Sequence, residues 1–202
     1  MSKARIAVLV SGGGTNLQAL IDAQSSGIIN SGNIEVVISS NANAYALTRA
    51  ANANIDTAVV SKKELGSQEA FEKQIVALLD KYNIDIIVLA GFMSILSADF
   101  TARYPRKIIN VHPSLIPSFC GKGFYGLKVH EAALEYGVKV SGATVHFVNE
   151  IPDGGEIIMQ KAVDILPDDT AESLQKRIME LAEWKILPQS VEKVCSQLIN
   201  ER

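Results

Sequence analysis

The sequence predicts an α/β protein with a mostly parallel central sheet. Short runs rich in β-branched residues alternate with segments whose apolar residues recur at helical spacing, a pattern typical of strands joined by right-handed helical crossovers. Two of the runs, Asp85–Ala90 and Lys107–Val111, are nearly all apolar, as expected of parallel strands covered on both faces. The 202 residues, 48% of them hydrophobic, are enough to bury a substantial core and favour one domain.

The first half of the chain, about residues 1–110, is predicted to alternate strand and helix in a Rossmann-like arrangement. Apolar Phe71, Ile75 and Leu79 fall on one face of a predicted helix, four residues apart. The predicted helices of this half are Asn16–Ala23, Tyr45–Ala53 and Gln68–Tyr82. The predicted strands are Arg5–Val10, Glu35–Ser39, Thr57–Val60, Asp85–Ala90 and Lys107–Val111.

The second half, about residues 111–202, departs from this alternation after Pro113, which ends a strand because proline cannot donate to a sheet ladder. A loop is predicted from Ile116 to Gly126. The elements that follow are a helix over Leu127–Tyr136 and strands over Lys139–Val148 and Glu156–Val163. Because the connection between these two strands is short, we expect them to pair antiparallel.

A long helix is predicted over Thr170–Ile199, with a break or kink near Pro188, where the proline ring conflicts with the helical backbone. We see no internal repeat, low-complexity segment or linker along the chain. We therefore interpret residues 1–202 as one domain, in which a mostly parallel sheet gains antiparallel strands in its C-terminal portion.

The charge balance argues against several classes of partner. Nineteen Lys and Arg residues against 22 Asp and Glu residues give a net charge of −3, without a basic tract, so we expect no nucleic-acid partner. The N-terminus has no signal-peptide pattern, and no apolar run is long enough to span a bilayer, so we expect a cytoplasmic protein without a membrane partner. Cys120 and Cys195 are far apart and outside any C-x-x-C motif, so we expect neither a disulfide nor a metal site.

A glycine-rich loop, Ser11-Gly12-Gly13-Gly14-Thr15-Asn16, joins the first predicted strand to the first predicted helix. Glycines allow a tight turn and let backbone N–H groups approach an anion at the helix N-terminus, so the loop is suited to a phosphate. It is not a Walker A loop, because the Lys-Ser/Thr pair is missing, and Leu17 stands where a dinucleotide fingerprint needs its third glycine. The alternative is a turn that only lets the helix pack on the strand.

A second motif places Asn110 and His112 on one face of a strand, since alternate residues of a strand share a face. Parallel sheets bind ligands at the carboxyl ends of their strands, where these two side chains are predicted to lie. Asp153, followed by two glycines, is a candidate carboxylate to approach the imidazole. An amide donor, an acid/base and an orienting carboxylate suit acyl-group chemistry at a carbonyl. The alternatives are a polar pair capping a strand end and an ordinary turn aspartate.

The other two histidines are assigned lesser roles. His130 lies in a predicted helix and is interpreted as a surface or packing residue. His146 shares a strand face with Thr144, and for both we expect a supporting position behind the residues that do the chemistry.

The motifs SGGGTNLQ, VLAGFMSIL, INVHPSLIP and GATVHFVNEIPDGG, taken together and in order, resemble the phosphoribosylglycinamide formyltransferase family. The similarity runs over nearly the whole chain. It implies a Rossmann-like formyltransferase fold with a phosphate-binding first half and a folate-binding and catalytic second half. It also implies two substrates, 10-formyltetrahydrofolate and 5-phosphoribosyl-glycinamide, in the purine (IMP) pathway, no metal, and a monomer or homodimer.

The resemblance also implies site residues, motif by motif. The catalytic residues correspond to Asn110, His112 and Asp153. Contacts with the ribonucleotide correspond to Gly12, Gly13, Gly14, Thr15, Asn16 and Glu183. The folate pocket corresponds to Gln68, Met93, Ser94, Ile95, Leu96, Asn110, Asn149, Glu150, Ile151, Pro152 and Asp153, with Thr144 and His146 behind it.

The chain departs from the family pattern at a few positions. Gln68 and Ser94 stand where some members carry an arginine near the folate, which removes two expected anchors for its glutamate tail. Trp184 stands where a histidine often follows the substrate glutamate, and Cys120 where proline or another residue is common.

Other functions share part of this pattern. A formyltetrahydrofolate hydrolase, or a formyltransferase with a different amine acceptor, would use the same catalytic residues. A nucleotide-binding module or an NAD(P)-dependent reductase would use the glycine loop, but neither needs the Asn110, His112 and Asp153 group. For the formyltransferase we expect the loop and His112 at the same sheet edge, a raised His112 pKa next to ionised Asp153, and a cis peptide bond at Ile116–Pro117.

Overall fold

The computed structural model describes residues 3–202, which form a seven-stranded sheet flanked by helices. The strands are β1 (Ala4–Val10), β2 (Gly32–Ser39), β3 (Asp56–Val59), β4 (Ile86–Leu89), β5 (Ile108–His112), β6 (Val140–Phe147) and β7 (Ile157–Asp164). Their order is β3-β2-β1-β4-β5-β6-β7. The first five strands are parallel, while β6 and β7 each run antiparallel to the preceding neighbour. The predicted α/β class and the antiparallel C-terminal strands are confirmed.

The helices follow the predicted alternation, with two short additions. They are α1 (Thr15–Ser25), α2 (Tyr45–Asn52), α3 (Lys62–Leu65), α4 (Gln68–Lys81), α5 (Ala98–Arg103), α6 (Leu127–Tyr136), α7 (Ala171–Ile178) and α8 (Trp184–Asn200). The sequence interpretation missed α3 and α5, which are only 4 and 6 residues long and too short for a clear hydrophobic period. Each does carry a start signal, because Ser61 and Ser97 accept hydrogen bonds from N–H groups of the first turn.

The C-terminal helical segment breaks at a different place from the one predicted. A π-helical turn, Met179–Glu183, separates α7 from α8, and Pro188 lies inside α8 without interrupting it. Pro188 is the fifth residue of α8, and its missing N–H removes the hydrogen bond that the Trp184 carbonyl would otherwise accept, without ending the helix. The wider turn before it has its own hydrogen-bond pattern, with the Trp184 N–H donating to the Met179 carbonyl.

Two apolar clusters pack against opposite faces of the sheet. The first joins Val8, Val37 and Ile109 of the strands to α1, α2, α7 and α8. The second joins Leu9 and Ile87 to α4 and α5 and their flanking loops. The strands β1 and β4 are buried on both faces, so their side chains reach both clusters, as their continuous apolar sequences indicate.

The sheet topology brings the predicted functional segments to one edge. The glycine loop follows β1, and His112 is the last residue of β5, with only β4 between these two strands. Because β1, β4 and β5 are parallel, both motifs lie at the carboxyl edge of the sheet, as predicted. The peptide bond Ile116–Pro117 is cis, which confirms that prediction. Among residues 3–202, no helix combines the length and apolarity needed to cross a membrane.

Candidate active site

Four polar side chains of β5 and β6 share one sheet face. Asn110 pairs with His146, and His112 pairs with Thr144, across the antiparallel ladder. The Nδ2 atom of Asn110 lies 3.2 Å from Nε2 of His146. Both histidines are buried, with 4% of His112 and 1% of His146 exposed, so they stand in a largely dry environment. The expectation that Asn110 and His112 point to the same side is therefore confirmed.

The loop between β6 and β7 brings Asp153 against both histidines. Its Oδ2 atom lies 3.5 Å from Nδ1 of His112, and its Oδ1 atom lies 3.6 Å from Nε2 of His146. The N–H of Gly121 donates to Oδ2 over 2.8 Å, so a second loop helps to hold the carboxylate. His112, Gly121 and His146, from three different segments, thus surround one carboxylate.

The two glycines after Asp153 explain how this loop can fold so tightly. A Cβ atom on Gly155 would lie 1.7 Å from the Phe147 carbonyl oxygen, closer than any real contact. A Cβ atom on Gly154 would lie 2.6 Å from the Ile151 side chain. Asp153 itself has a φ of 56°, a left-handed conformation that aspartate tolerates better than most residues. Backbone close approach therefore fixes where the carboxylate can be.

Hydrogen bonds fix the orientation of the Asn110 amide. The Nδ1 atom of His146 lies 2.8 Å from the Phe147 carbonyl, which only accepts, so this nitrogen carries the proton. In the neutral ring, Nε2 then accepts from the Asn110 amide. One N–H of Asn110 is used in this way, and the other is left to donate toward the cavity.

The environment of His112 corrects one expectation. Its Nε2 atom donates to the Phe119 carbonyl over 2.9 Å, which leaves Nδ1 facing Asp153. Burial lowers the pKa of His112, and the nearby Asp153 charge and the Phe119 hydrogen bond offset this only in part. The sequence argument considered the carboxylate and not the desolvation, so the predicted raised pKa was wrong for the free protein.

Asp153 is held in its ionised form. Burial alone would raise its pKa, but the contact with His146, the charge of His112 and the Gly121 N–H together outweigh burial and lower it. The separation of 3.5 Å from His112 Nδ1 is longer than a normal N–H···O hydrogen bond, so Nδ1 is not committed to this partner. An ionised carboxylate thus faces an imidazole nitrogen that is free to take or give a proton.

Next to this group, two adjoining cavities contain most of the predicted folate-pocket residues. A cavity of about 140 Å³ has apolar walls that include Leu89 and Phe92, and its other lining residues are Ser94, Ile95, Leu96, Asn110, His146, Val148, Asn149, Glu150, Pro152 and Asp153. A more open cavity of about 610 Å³ shares three of these residues and is lined by Lys62, Gln68, Met93, Ser94, Ile95, Leu96 and Ser97. The lining of the first cavity combines apolar side chains with a few polar groups, as is usual for a small-molecule site.

Two predicted pocket residues are placed less favourably for binding. Ile151 is 57% exposed and lines neither cavity; its side chain packs where a side chain on Gly154 would be. The amide nitrogen of Gln68 donates to both Glu72 and the Ile95 carbonyl, so both of its N–H groups are used within the protein. Gln68 therefore stabilises the Ile95 loop and has no donor left for a carboxylate.

The glycine loop presents unpaired backbone donors at the start of α1. Gly14 caps the helix with a φ of 73°, and a Cβ atom there would lie 2.6 Å from the Ala46 side chain, so this position requires glycine. Within residues 3–202, the N–H groups of Gly13, Gly14 and Thr15 have no hydrogen-bond partner. By contrast, side chains added at Gly12 or Gly13 would meet nothing within 4 Å. The loop therefore has both space and donors for an anion.

Glu183 lies beside this loop, at the end of the π-helical turn. The Asn16 amide donates to its carboxylate over 2.7 Å, so two predicted substrate-binding residues are in direct contact. Burial raises the pKa of Glu183, and the Asn16 hydrogen bond offsets part of that effect. The Thr15 hydroxyl, predicted to help bind a phosphate, is exposed and lies 3.9 Å from the Met179 sulfur.

A third cavity, of about 480 Å³, lies between α1 and α8 next to the loop, with Thr15, Arg49, Trp184, Lys185 and Pro188 among its lining residues. Trp184 thus replaces the usual histidine in the wall of a groove that begins at the glycine loop.

Cys120 is a free thiol, and burial and then the Asp153 charge raise its pKa. It is therefore held as an unreactive thiol in the loop that faces Asp153.

The sequence interpretation missed several contributors. Phe119 and Gly121 contact His112 and Asp153 through backbone atoms, which no residue-type pattern reveals, although the glycines of this loop were a hint. His130 is fully buried, and neither ring nitrogen has a hydrogen-bond partner within residues 3–202. Burial and the proximity of His112 lower the His130 pKa to about 4, so it is a neutral packing residue. Among the described residues, no group of three or more His, Cys, Asp or Glu side chains is arranged so that it could hold a metal ion.

Comparison with known proteins adds to this geometry. Residues 4–191 match the model of a family described as formyl transferase. A phosphoribosylglycinamide formyltransferase of Haemophilus influenzae is 45% identical over 91% of this chain and 84% of its own length. A trifunctional purine biosynthetic protein adenosine-3 of Homo sapiens is 45% identical over 96% of this chain, which spans only 18% of that protein. The crystal structure of glycinamide ribonucleotide transformylase 1 from Symbiobacterium toebii has a TM-score of 0.90 at 40% identity, covering 96% of this chain and 89% of that one.

Proposed function

This chain belongs to the formyl transferase family, and from that premise we propose that it transfers the formyl group of 10-formyltetrahydrofolate to the amine of 5-phosphoribosyl-glycinamide. This reaction belongs to the de novo purine (IMP) pathway. The observation that carries the proposal is the contact of Asp153 with His112 and His146, beside Asn110, at the wall of an apolar cavity. Alignments with phosphoribosylglycinamide formyltransferases over most of both chains support the choice of acceptor.

The two substrates approach the catalytic group from different sides. We assign the phosphate of the ribonucleotide to the unpaired N–H groups of the glycine loop, and its sugar and glycinamide portion to the side of Glu183. The folate is assigned to the cavity lined by Leu96, Asn110 and Asp153, with its tail toward the more open cavity. The acceptor amine and the formyl carbon would then meet beside Asn110 and His112.

The chemical step is a direct transfer between two nitrogen atoms. The neutral amine attacks the formyl carbon, a C–N bond forms, and the carbonyl π electrons move to the formyl oxygen. The amine then loses a proton, the bond from carbon to the folate nitrogen breaks, and that nitrogen gains a proton. Atoms and charge balance without a covalent enzyme intermediate.

The three catalytic residues divide the work of this step. The free N–H of Asn110 donates to the formyl oxygen as negative charge develops there. His112 donates from Nδ1 once it has taken up a proton from solvent, which it gives back when the carbonyl re-forms, and both the developing oxyanion and Asp153 favour that protonated form. Asp153 also accepts the amine proton, directly or through a water molecule, for return to the leaving nitrogen.

The lowered pKa of His112 is consistent with this division of work. A histidine that is mostly neutral before the reaction does not hold a strong ion pair with Asp153, so the carboxylate remains available to accept the amine proton when the amine becomes acidic on attack. Protonation of the ring becomes favourable only as the oxyanion forms, which is when stabilisation accelerates the reaction.

A monomeric or homodimeric state and a cytoplasmic location remain predictions.

The assay measures formyl transfer from 10-formyltetrahydrofolate by the purified protein. The reaction is monitored through the appearance of tetrahydrofolate. Three acceptors are compared: 5-phosphoribosyl-glycinamide, glycinamide without the ribose phosphate, and water alone. We expect turnover only with the ribonucleotide. Equal folate turnover with water alone would assign the protein as a hydrolase, and turnover with another amine but not the ribonucleotide would reassign the acceptor.

A further inference from the structure

We propose that Arg49 of α2 is a positioning residue for the phosphate of the ribonucleotide, acting through the peptide groups of the glycine loop. The inference rests on the proposed function, since it concerns the anion that this loop receives. Arg49 lies in the helix that follows the second strand, and no motif of the sequence marks it. Its side chain is half-buried against the loop.

Two carbonyl groups of the loop are turned toward α2. The Nε atom of Arg49 donates to the Gly13 carbonyl over 2.8 Å, and the backbone N–H of Ala46 donates to the Gly12 carbonyl over 3.1 Å. In a trans peptide, the C=O and the following N–H point in opposite directions. Both peptides are trans, so the N–H groups of Gly13 and Gly14 point away from α2.

These two hydrogen bonds determine what the loop offers to a ligand. The N–H groups of Gly13 and Gly14, with that of Thr15, find no partner in the described part of the chain. Successive N–H groups turned to one side form a concave anion site, and the N-terminus of α1 adds a partial positive charge. Without a hydrogen bond to the carbonyl of Gly13, the flexible Gly13–Gly14 peptide would be free to rotate its N–H out of the site.

Arg49 is itself held in place. Its Nη1 atom donates to the Gln18 side chain over 3.1 Å, and its guanidinium group lies 5.0 Å from the centre of the Tyr45 ring. The planar guanidinium can hold Gly13 and Gln18 at once because its donors are fixed in one plane. The residue thus joins α2, the loop and α1 and sets the direction of the loop's donors.

Lys185 provides a matched control for charge. It lines the same cavity as Arg49 and Thr15 but donates no hydrogen bond to the glycine loop within residues 3–202. The variants Arg49→Met and Lys185→Met each remove one positive charge and keep a long apolar stem. Only Arg49→Met removes the hydrogen bond to the Gly13 carbonyl. Comparing the two variants therefore separates the effect of positioning the loop from the effect of removing a positive charge.

The first measurement is steady-state kinetics of formyl transfer. We expect Arg49→Met to raise the KM for the ribonucleotide about tenfold or more, as for loss of hydrogen bonds to a charged group, with the folate KM and kcat within about twofold. Lys185→Met should change the ribonucleotide KM by less than about twofold. Equal effects of the two variants, or an equal rise in both KM values for Arg49→Met, would overturn the proposal.

The second measurement does not depend on catalysis. Inorganic phosphate is titrated against ¹⁵N-labelled protein at constant ionic strength, and the amide signals of Gly13, Gly14 and Thr15 are followed. We expect saturable shifts in the unmodified protein and in Lys185→Met, and their loss in Arg49→Met, whose thermal unfolding confirms that it folds. Persistent shifts in Arg49→Met, or none in the unmodified protein, would overturn the proposal. If the shifts depend on Arg49 but no formyl transfer occurs, the proposed function fails, and the inference stands only for an anion in the loop and not for the ribonucleotide.

Discussion

The glycine loop and the catalytic group lie at the same sheet edge but are built from different parts of the chain. The loop uses backbone N–H groups and contains no ionisable side chain between Ser11 and Asn16. The catalytic group uses an amide, two buried imidazoles and a carboxylate, which are held by the β5–β6 ladder and two loops. The glycine loop can therefore bind a ligand because its glycines have no side chains, whereas the histidines and the carboxylate act through the protonation of their side chains.

The contrast assigns separate tasks to the two regions. Backbone donors do not change charge with pH, which suits them to holding a permanent anion during a whole catalytic cycle. Side chains with perturbed pKa values can exchange protons with a reacting group. Substitutions in the two regions should accordingly change different kinetic constants.

The largest effect is expected where charge develops on the formyl oxygen. Asn110→Ala and His112→Ala should each lower kcat by about 10²–10³-fold, because each removes a donor to that oxygen. Combined, they should lower kcat by less than the product of the single effects, since the two groups act as a unit. Single-turnover formyl transfer by the three variants measures this. Multiplicative losses would show that the two side chains act independently.

Asp153→Asn should lower kcat by at least about 10²-fold while the fold is retained. Asparagine keeps the shape and can still accept from the Gly121 N–H, but it carries no negative charge and is no base. Folate binding by fluorescence should change little, which separates chemistry from binding. Near-normal turnover across neutral pH would reduce Asp153 to a turn residue and exclude the proton route proposed here.

Gly13→Val tests the other region and should raise the ribonucleotide KM by about tenfold or more, with the folate KM nearly constant. A Cβ atom at this position meets no protein atom within 4 Å, so we expect the substitution to obstruct an anion and not the fold. Gly14→Ala is the contrasting variant, since its Cβ would collide with Ala46 and its φ is 73°. Thermal unfolding should show a loss of stability for Gly14→Ala alone. An equal loss for Gly13→Val would mean that this glycine is also structural.

The last prediction concerns the pH dependence of stability and tests His130, which belongs to neither region. The folded-state pKa of His130 is about 4, below its ordinary value of about 6.5, so between these values the unfolded chain binds a proton that the folded chain does not. Stability attributable to His130 is complete above about pH 6.5 and is lost as the pH falls toward 4, by at most about 3 kcal/mol. His130→Phe should flatten the decline in unfolding free energy between pH 7 and 5, measured by urea denaturation. An unchanged slope would assign the decline to other groups.

The sequence predicted the features that follow from residue type and spacing, and it did not predict those that depend on contacts in three dimensions. Alternation and apolar runs predicted the parallel strands within a few residues, because a buried strand such as β4 must be apolar on both faces. The spacing of Asn110 and His112 predicted their common face, because the period of a strand is two. Both are properties of residue type and spacing alone.

What the sequence did not predict depends on distance in three dimensions. The lowered pKa of His112 comes from burial, which the β5 sequence does not reveal. The contacts of Phe119, Gly121 and Arg49 involve backbone atoms on at least one side, so they leave little mark on residue type. The break before α8 was assigned to Pro188 because proline is the visible breaker, whereas a π-helical turn has no comparable signature.

The π-helical turn makes this helix sensitive to a change in length. In an α-helix each residue turns the chain by about 100° and advances it by about 1.5 Å. Deleting one residue from Met179–Glu183 would leave a regular helix but rotate α7 relative to α8 by that angle. Leu174 and Ile178, now fully buried, could not stay in the core together with Leu187 and Val191 of α8. Single-residue deletions should therefore be rejected in this turn although its Leu181 is 49% exposed, so here surface exposure does not indicate tolerance of indels.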